Sequence, residues 1–239
     1  MSTYTAMARM RPRRTAGREP SVLEVYRFLL RSRGPAGWWP GGGAFEVCVG
    51  AVLVQNTAWV NVERALATLR RRRALSFHRM HALGAAGLAP LIRSSGTYNV
   101  KARRLAALLS FLHREYGGRV EEMAGEEPLA LRAKLLAVPG VGRETADSIV
   151  LYAAGLPLFV VDAYTRRVFT RLGLLSGDES YDAIQAFFME RLPRKAALFN
   201  DYHAQIVLLA QGPCRVRPRC GECPLDAVCA KRGVTAPAP

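Results

Sequence analysis

Lysine is scarce in this chain. Only four of its 34 basic residues, Lys101, Lys134, Lys195 and Lys231, are lysines, and the rest are arginines. Chemistry needing an amine nucleophile has few candidates, because arginine stays protonated. Cysteine is nearly missing before residue 214: Cys48 stands alone in an apolar run and reads as inert core. That pattern argues against a disulfide-stapled scaffold. No apolar run approaches the roughly 20 residues that a bilayer span requires. Strand-like alternation is nearly absent, so the fold class is all-α. Residues 1–20 carry five arginines but no apolar core followed by a small-residue cleavage site, so no secretory signal is expected. They read as a disordered basic arm, although an organellar transit peptide or a solvated tail without a role has the same composition.

What is abundant is positive charge. The excess of 34 basic over 19 acidic residues leaves +15 on 239 residues. Such a surface favours a polyanionic partner, and arginine suits two-pronged contact with phosphate. The length allows one large domain or two interleaved small ones. Helical patterning covers most of it. Residues 21–31 open with Ser21 as cap and Glu24 at the capping-box position. Residues 45–53 are almost wholly apolar, predicting a helix buried on most sides. Residues 60–69, 88–93, 102–116, 129–136, 145–154, 163–172, 181–192 and 202–211 continue the rhythm.

Two clusters stand out. Val138-Pro139-Gly140-Val141-Gly142-Arg143-Glu144-Thr145-Ala146 places a Pro-Gly-x-Gly turn between two helices. Proline cannot continue the first helix, and glycines let backbone N–H groups approach a phosphate closely. Such a turn grips a nucleic-acid backbone without reading its sequence. One helix further on comes Val160-Val161-Asp162, whose carboxylate either caps the next helix, does chemistry, or does both. Near the end, Cys214, Cys220, Cys223 and Cys229 follow C-x5-C-x2-C-x5-C. Four thiolates within sixteen residues argue for metal, either zinc or an iron–sulfur cluster on spacing alone. Arg215, Arg217 and Arg219 crowd the first gap as a basic patch for phosphates.

The hairpin, the spaced Asp162 and the cysteine cluster together resemble the endonuclease III superfamily of helix-hairpin-helix DNA glycosylases, in order from about residue 44 to 229. The resemblance implies a two-lobed all-α fold. Residues 44–154 would form a six-helix lobe ending in the hairpin, and residues 21–43 with 155–230 an iron–sulfur lobe. Double-stranded DNA with a damaged base would lie in a cleft between them, and residues 231–239 would form a disordered tail. It implies a [4Fe–4S] cofactor on the four cysteines, although the family's commonest first gap is six residues and this one is five. Asp162 matches the catalytic aspartate. Strand-cutting members carry a lysine where this chain has Glu144, so the resemblance implies a monofunctional glycosylase. Pro139, Gly140, Val141, Gly142, Arg143 and Thr145 would bind DNA, with Tyr98 or Thr97 as a wedge in the stack.

The pattern Trp38-Trp39-Pro40, then Phe45-Glu46, then Gln55-Asn56-Thr57-x-Trp59 is similar to endonuclease III-type 3-methyladenine DNA glycosylases. It implies a base pocket of Trp39 or Trp38, Trp59 and Glu144, with Gln55 or Asn56 filling the gap or touching the base edge. N-alkylated purines are cationic, which indole faces and a carboxylate attract. Removal of oxidised pyrimidines or mismatched thymine is a second reading, and a non-catalytic DNA-binding protein a third. A cytoplasmic monomer without membrane contact is expected.

Overall fold

The computed structural model describes residues 19–36 and 42–234, so the expectations for Trp38, Trp39, most of the basic arm and residues 235–239 lie outside the described residues. Among the described residues ten α-helices and short 3-10 turns carry the fold, with no strand. The helices are α1 (Val22–Arg33), α2 (Ala44–Leu53), α3 (Trp59–Arg71), α4 (Phe77–Leu88) and α5 (Tyr98–Tyr116). They continue as α6 (Pro128–Leu136), α7 (Arg143–Ser148), α8 (Ala163–Leu172), α9 (Tyr181–Arg191) and α10 (Ala196–Gln211). The described residues divide into two compact units, one of 42–160 with 194–200 and the other of 19–36, 161–193 and 201–234.

In the first unit α2 is the central element, with every residue from Glu46 to Leu53 buried. Its one buried charge, Glu46, pairs with Arg70 at the end of α3, which removes the cost of an isolated ion. Helix α4 escaped the sequence reading. Gly84 breaks its periodicity with a φ of 58°, and His78, His81, Gly84 and Gly87 blur the apolar face. The 3-10 turn Ala89–Ser95 follows it directly. Helix α7 runs on into a π-helical turn, Ile149–Ala153, whose first three side chains are buried.

In the second unit α1 starts as its sequence predicts: the Ser21 hydroxyl and the Glu24 carboxylate exchange hydrogen bonds with each other's backbone N–H. Phe169 and Phe188 meet edge to face at 4.6 Å, and Tyr202 joins them with its hydroxyl donating to the Val22 carbonyl at 2.7 Å. Residues 231–234, expected as the start of a disordered tail, turn back on α8. The Arg232 N–H donates to the Arg171 carbonyl at 3.1 Å, and Lys231 pairs with Asp226 at 2.7 Å.

Candidate functional site

The glycine turn has buried anchors and an exposed crest. Val138 and Val141 are buried, whereas Pro139, Gly140 and Gly142 face solvent. Gly140 has a φ of 84°, and a Cβ there would stand 2.3 Å from the Cγ of Arg104. Glycine is therefore required twice over, for backbone angle and for space. The α7 N-terminus that follows has no side-chain cap, and Glu144 lies exposed in its first turn. Beneath the crest, fully buried Asp147 bonds to Arg132 of α6 at 2.7 Å. Breaking such a buried pair costs about 3–5 kcal/mol, so it holds the two hairpin helices at a fixed angle.

Gln55 ties the turn after α2 to this hairpin. Its Nε2 donates to the Gly140 carbonyl at 3.1 Å and to the buried Thr145 hydroxyl at 2.9 Å. Its Oε1 accepts from Arg104 at 2.5 Å. Asn56 is exposed at a φ of 50°. Trp59, half-buried at the start of α3, donates from its indole N–H to Glu63 at 3.0 Å. The same turn is bolted on its other side. The buried ammonium of Lys101 donates to the carbonyls of Leu53 (2.8 Å) and Ser95 (2.5 Å) and to the Thr57 hydroxyl (2.8 Å). Burial and then the Arg104 charge push its pKa below the usual lysine value. Tyr98 begins α5 half-buried, with the Arg93 guanidinium 6.0 Å from its ring centre, and Thr97 before it is exposed. Hairpin, Gln55–Trp59 turn and Ser95–Tyr98 loop thus form one hydrogen-bonded platform in the first unit.

Asp162 belongs to the second unit. Val161 is buried before it, with its N–H donating to the Tyr181 hydroxyl at 3.3 Å. The Asp162 side chain caps α8: Oδ1 accepts from the Thr165 N–H at 2.6 Å and from the Thr165 hydroxyl at 2.9 Å. Oδ2 faces His203 of α10, 3.4 Å from Nε2. Burial pushes this carboxyl upward, but the neighbouring His203 and the two Thr165 donors outweigh it. The net pKa lies below the ordinary carboxylate value, so Asp162 is anionic at neutral pH. With 12% of its side chain exposed it is poorly hydrated yet reachable. An ionised carboxylate in that state can stabilise a developing cation far better than one in open water.

The four late cysteines line a single pocket together with Arg171, Lys231 and Val234. No group of three or more His, Cys, Asp and Glu among the described residues is drawn together as for a single ion. The Cys223 thiol is pushed up to about 12 by burial and then by Cys214, Cys229 and Cys220. Four clustered thiols, with Cys223 and Cys229 both pushed upward, need a cationic group before they can ionise together. The donor set therefore fits a thiolate-bound metal group. Arg167 and Arg171 of α8 fasten this loop. Arg171 donates to the carbonyls of Cys214 (3.0 Å), Arg215 (2.7 Å) and Val216 (2.9 Å), and Arg167 to that of Ala210 (2.9 Å). Arg215, Arg217 and Arg219 are exposed, with Arg219 sharing its charge with Glu222 at 2.9 Å.

The residues missed by sequence reading are His203, Arg104 and the bolting role of Lys101. His203 sits in the apolar run of α10, 41 residues after its carboxylate partner, with no spacing signal. Lys101 had one hint, a single basic residue heading the apolar stripe of α5.

Known proteins match this arrangement. A family model described as the HhH-GPD superfamily base excision DNA repair protein matches residues 49–194. A provisionally named DNA repair glycosylase of Methanocaldococcus jannaschii is 42% identical over 210 residues, covering 87% of this chain and 95% of its own. Among solved structures, H. pylori 3-methyladenine DNA glycosylase bound to 1,N6-ethenoadenine is 28% identical with a TM-score of 0.68, covering 80% of this chain and 95% of that one. A trapped endonuclease III–DNA covalent intermediate is 26% identical with a TM-score of 0.73, covering 86% and 92%. With its glycine hairpin, all-helical fold and this extent of similarity, the chain belongs to the HhH-GPD superfamily of base excision repair proteins and is a DNA glycosylase of that superfamily.

Proposed function

We propose that this chain is a monofunctional DNA glycosylase that hydrolyses the N-glycosidic bond of N-alkylated purines in double-stranded DNA, with Asp162 as its catalytic carboxylate. The observation that carries this reading is the setting of Asp162: little exposed, held at Oδ1 by Thr165, with Oδ2 facing His203 at 3.4 Å. As the C1′–N bond breaks, its electron pair leaves with the base and positive charge gathers on the sugar. The Asp162 anion stabilises that charge until water adds at C1′.

Lysine placement supports hydrolysis over strand cutting. The hairpin position that would hold an amine nucleophile is Glu144. Lys134 is paired with Glu126 at 2.6 Å, Lys231 with Asp226, and Lys101 is buried among three acceptors. Exposed Glu144 and half-buried Trp59 provide the anion and the indole that suit a cationic purine. The likeness to the H. pylori 3-methyladenine glycosylase supports the same substrate class. Backbone N–H groups of the hairpin would grip phosphate, helped by Arg143 and by the arginines of the cysteine loop. Cys214, Cys220, Cys223 and Cys229 would hold a [4Fe–4S] cluster, which when bound cross-links and orders that basic loop.

The test is a panel of duplexes bearing 3-methyladenine, 7-methylguanine, thymine glycol or mismatched thymine, scored with and without alkali. Release of the alkylated purines, with strand breaks only after alkali, is the expected result. Strong borohydride trapping on abasic DNA, or release of thymine glycol alone, overturns it. Asp162→Asn keeps a helix cap of equal quality, and should abolish release while DNA binding survives.

A further inference from the structure

We infer that His203 is a positioning residue for Asp162, fixing the carboxylate oxygen that the helix cap leaves uncommitted. This rests on the proposed role of Asp162. Both Thr165 donors go to Oδ1, at 2.6 and 2.9 Å, so the α8 cap holds one end of the carboxylate. A group held at one oxygen still pivots about that bond. His203 Nε2 stands 3.4 Å from Oδ2, where it faces the end of the carboxylate that the cap leaves free to pivot. With side-chain exposures of 8% and 12%, the two groups see little water, so the interaction is weakly screened.

The residue type matters. Lysine or arginine at this place would present a permanent cation and cancel the negative charge that the sugar requires. Imidazole can hold a carboxylate oxygen as a neutral N–H donor and leave that charge whole. The helix around it explains why the position is dependable. Tyr202, the preceding residue, is fully buried and bonded to the Val22 carbonyl, and Asp201 accepts from the Ala36 N–H at 2.6 Å. Gln205, two residues on, donates to the Gly34 carbonyl at 2.7 Å. The turn of α10 that carries His203 is thus pinned to α1 and the segment after it.

Two variants separate positioning from packing. His203→Leu fills the space without a donor, and His203→Gln restores an N–H at similar reach. Single-turnover release of the base that the panel identifies should fall about 10- to 100-fold in the leucine variant. Affinity for abasic-analogue duplex should stay within about twofold, and glutamine should recover most of the rate. Adding His203→Leu to Asp162→Asn should cost nothing further, because the effect runs through the carboxylate. A substrate-free readout accompanies these: at a fixed pH, the 15N signal of His203 Nε2 in the full-length protein should move on Asp162→Asn, because Nε2 stands 3.4 Å from Oδ2. If leucine releases base as fast as wild type, or matches glutamine, or the imidazole signal ignores Asp162, the inference is overturned. If Asp162→Asn itself still releases base, it is the reading of the carboxylate that fails.

Discussion

The Gln55 side-chain amide donates to the Gly140 backbone carbonyl at 3.1 Å, joining the turn after α2 to the crest of the hairpin. Gln55→Ala would strip partners from Gly140, Thr145 and Arg104 together. A loosened crest should bind undamaged duplex about fivefold more weakly, from roughly 1 kcal/mol of lost hydrogen bonding. Fluorescence anisotropy against a labelled duplex checks this. Unchanged affinity would mean that the crest needs no brace.

Lys101 poses a sharper stability question, because its ammonium serves three acceptors in a site closed to water. Lys101→Ala removes three hydrogen bonds from this site, leaving the Leu53 carbonyl without the ammonium while the Thr57 hydroxyl still donates to the Ser95 carbonyl at 2.8 Å. Urea unfolding should show a loss of about 3 kcal/mol. Lys195→Ala, at an exposed position, should lie within about 0.5 kcal/mol of wild type.

Arg171 holds the backbone of the cysteine loop through three carbonyls. Arg171→Leu should let residues 214–217 open more often. Trypsin cleavage after Arg215, followed by mass spectrometry, should accelerate about tenfold for a local opening made cheaper by roughly 1.4 kcal/mol. An unchanged rate would place the loop's order elsewhere.

Acid should release the turn between α8 and α9 before the rest of the second unit. Burial alone would raise the Glu179 pKa, but the N–H groups of Ser176 and Gly177, its own N–H and the Ser176 side chain bring it down to about 2. A depressed carboxyl contributes stability above its unfolded value, about 4.3, and loses that contribution as pH falls toward its folded value. Amide exchange at Ser176 and Gly177 should therefore quicken between about pH 4 and pH 2. Glu179→Gln should show fast exchange at every pH.

Most helices were readable because their information is local. Ser21 and Glu24 announce the start of α1, Asp162 and Gly173 bracket α8, and Pro139 ends the run that becomes α6. Reading failed where local signals conflict. Glycines and histidines hide α4, and α5 and α10 begin four and six residues before their apolar periodicity becomes plain.

The amino-acid order by itself determined an all-helical, strongly basic chain with a glycine hairpin, one well-placed aspartate and four clustered cysteines. Each of these is a matter of residue type and short spacing, governed by backbone sterics, helix capping and charge. Only the tertiary structure decided that His203 faces Asp162, that Lys101 and Gln55 lock three loops of the first unit together, and that the cysteines share one pocket. Partners 41, 48 or 85 residues apart meet because helices pack their apolar faces, and that packing leaves no periodic trace at the polar positions it brings together.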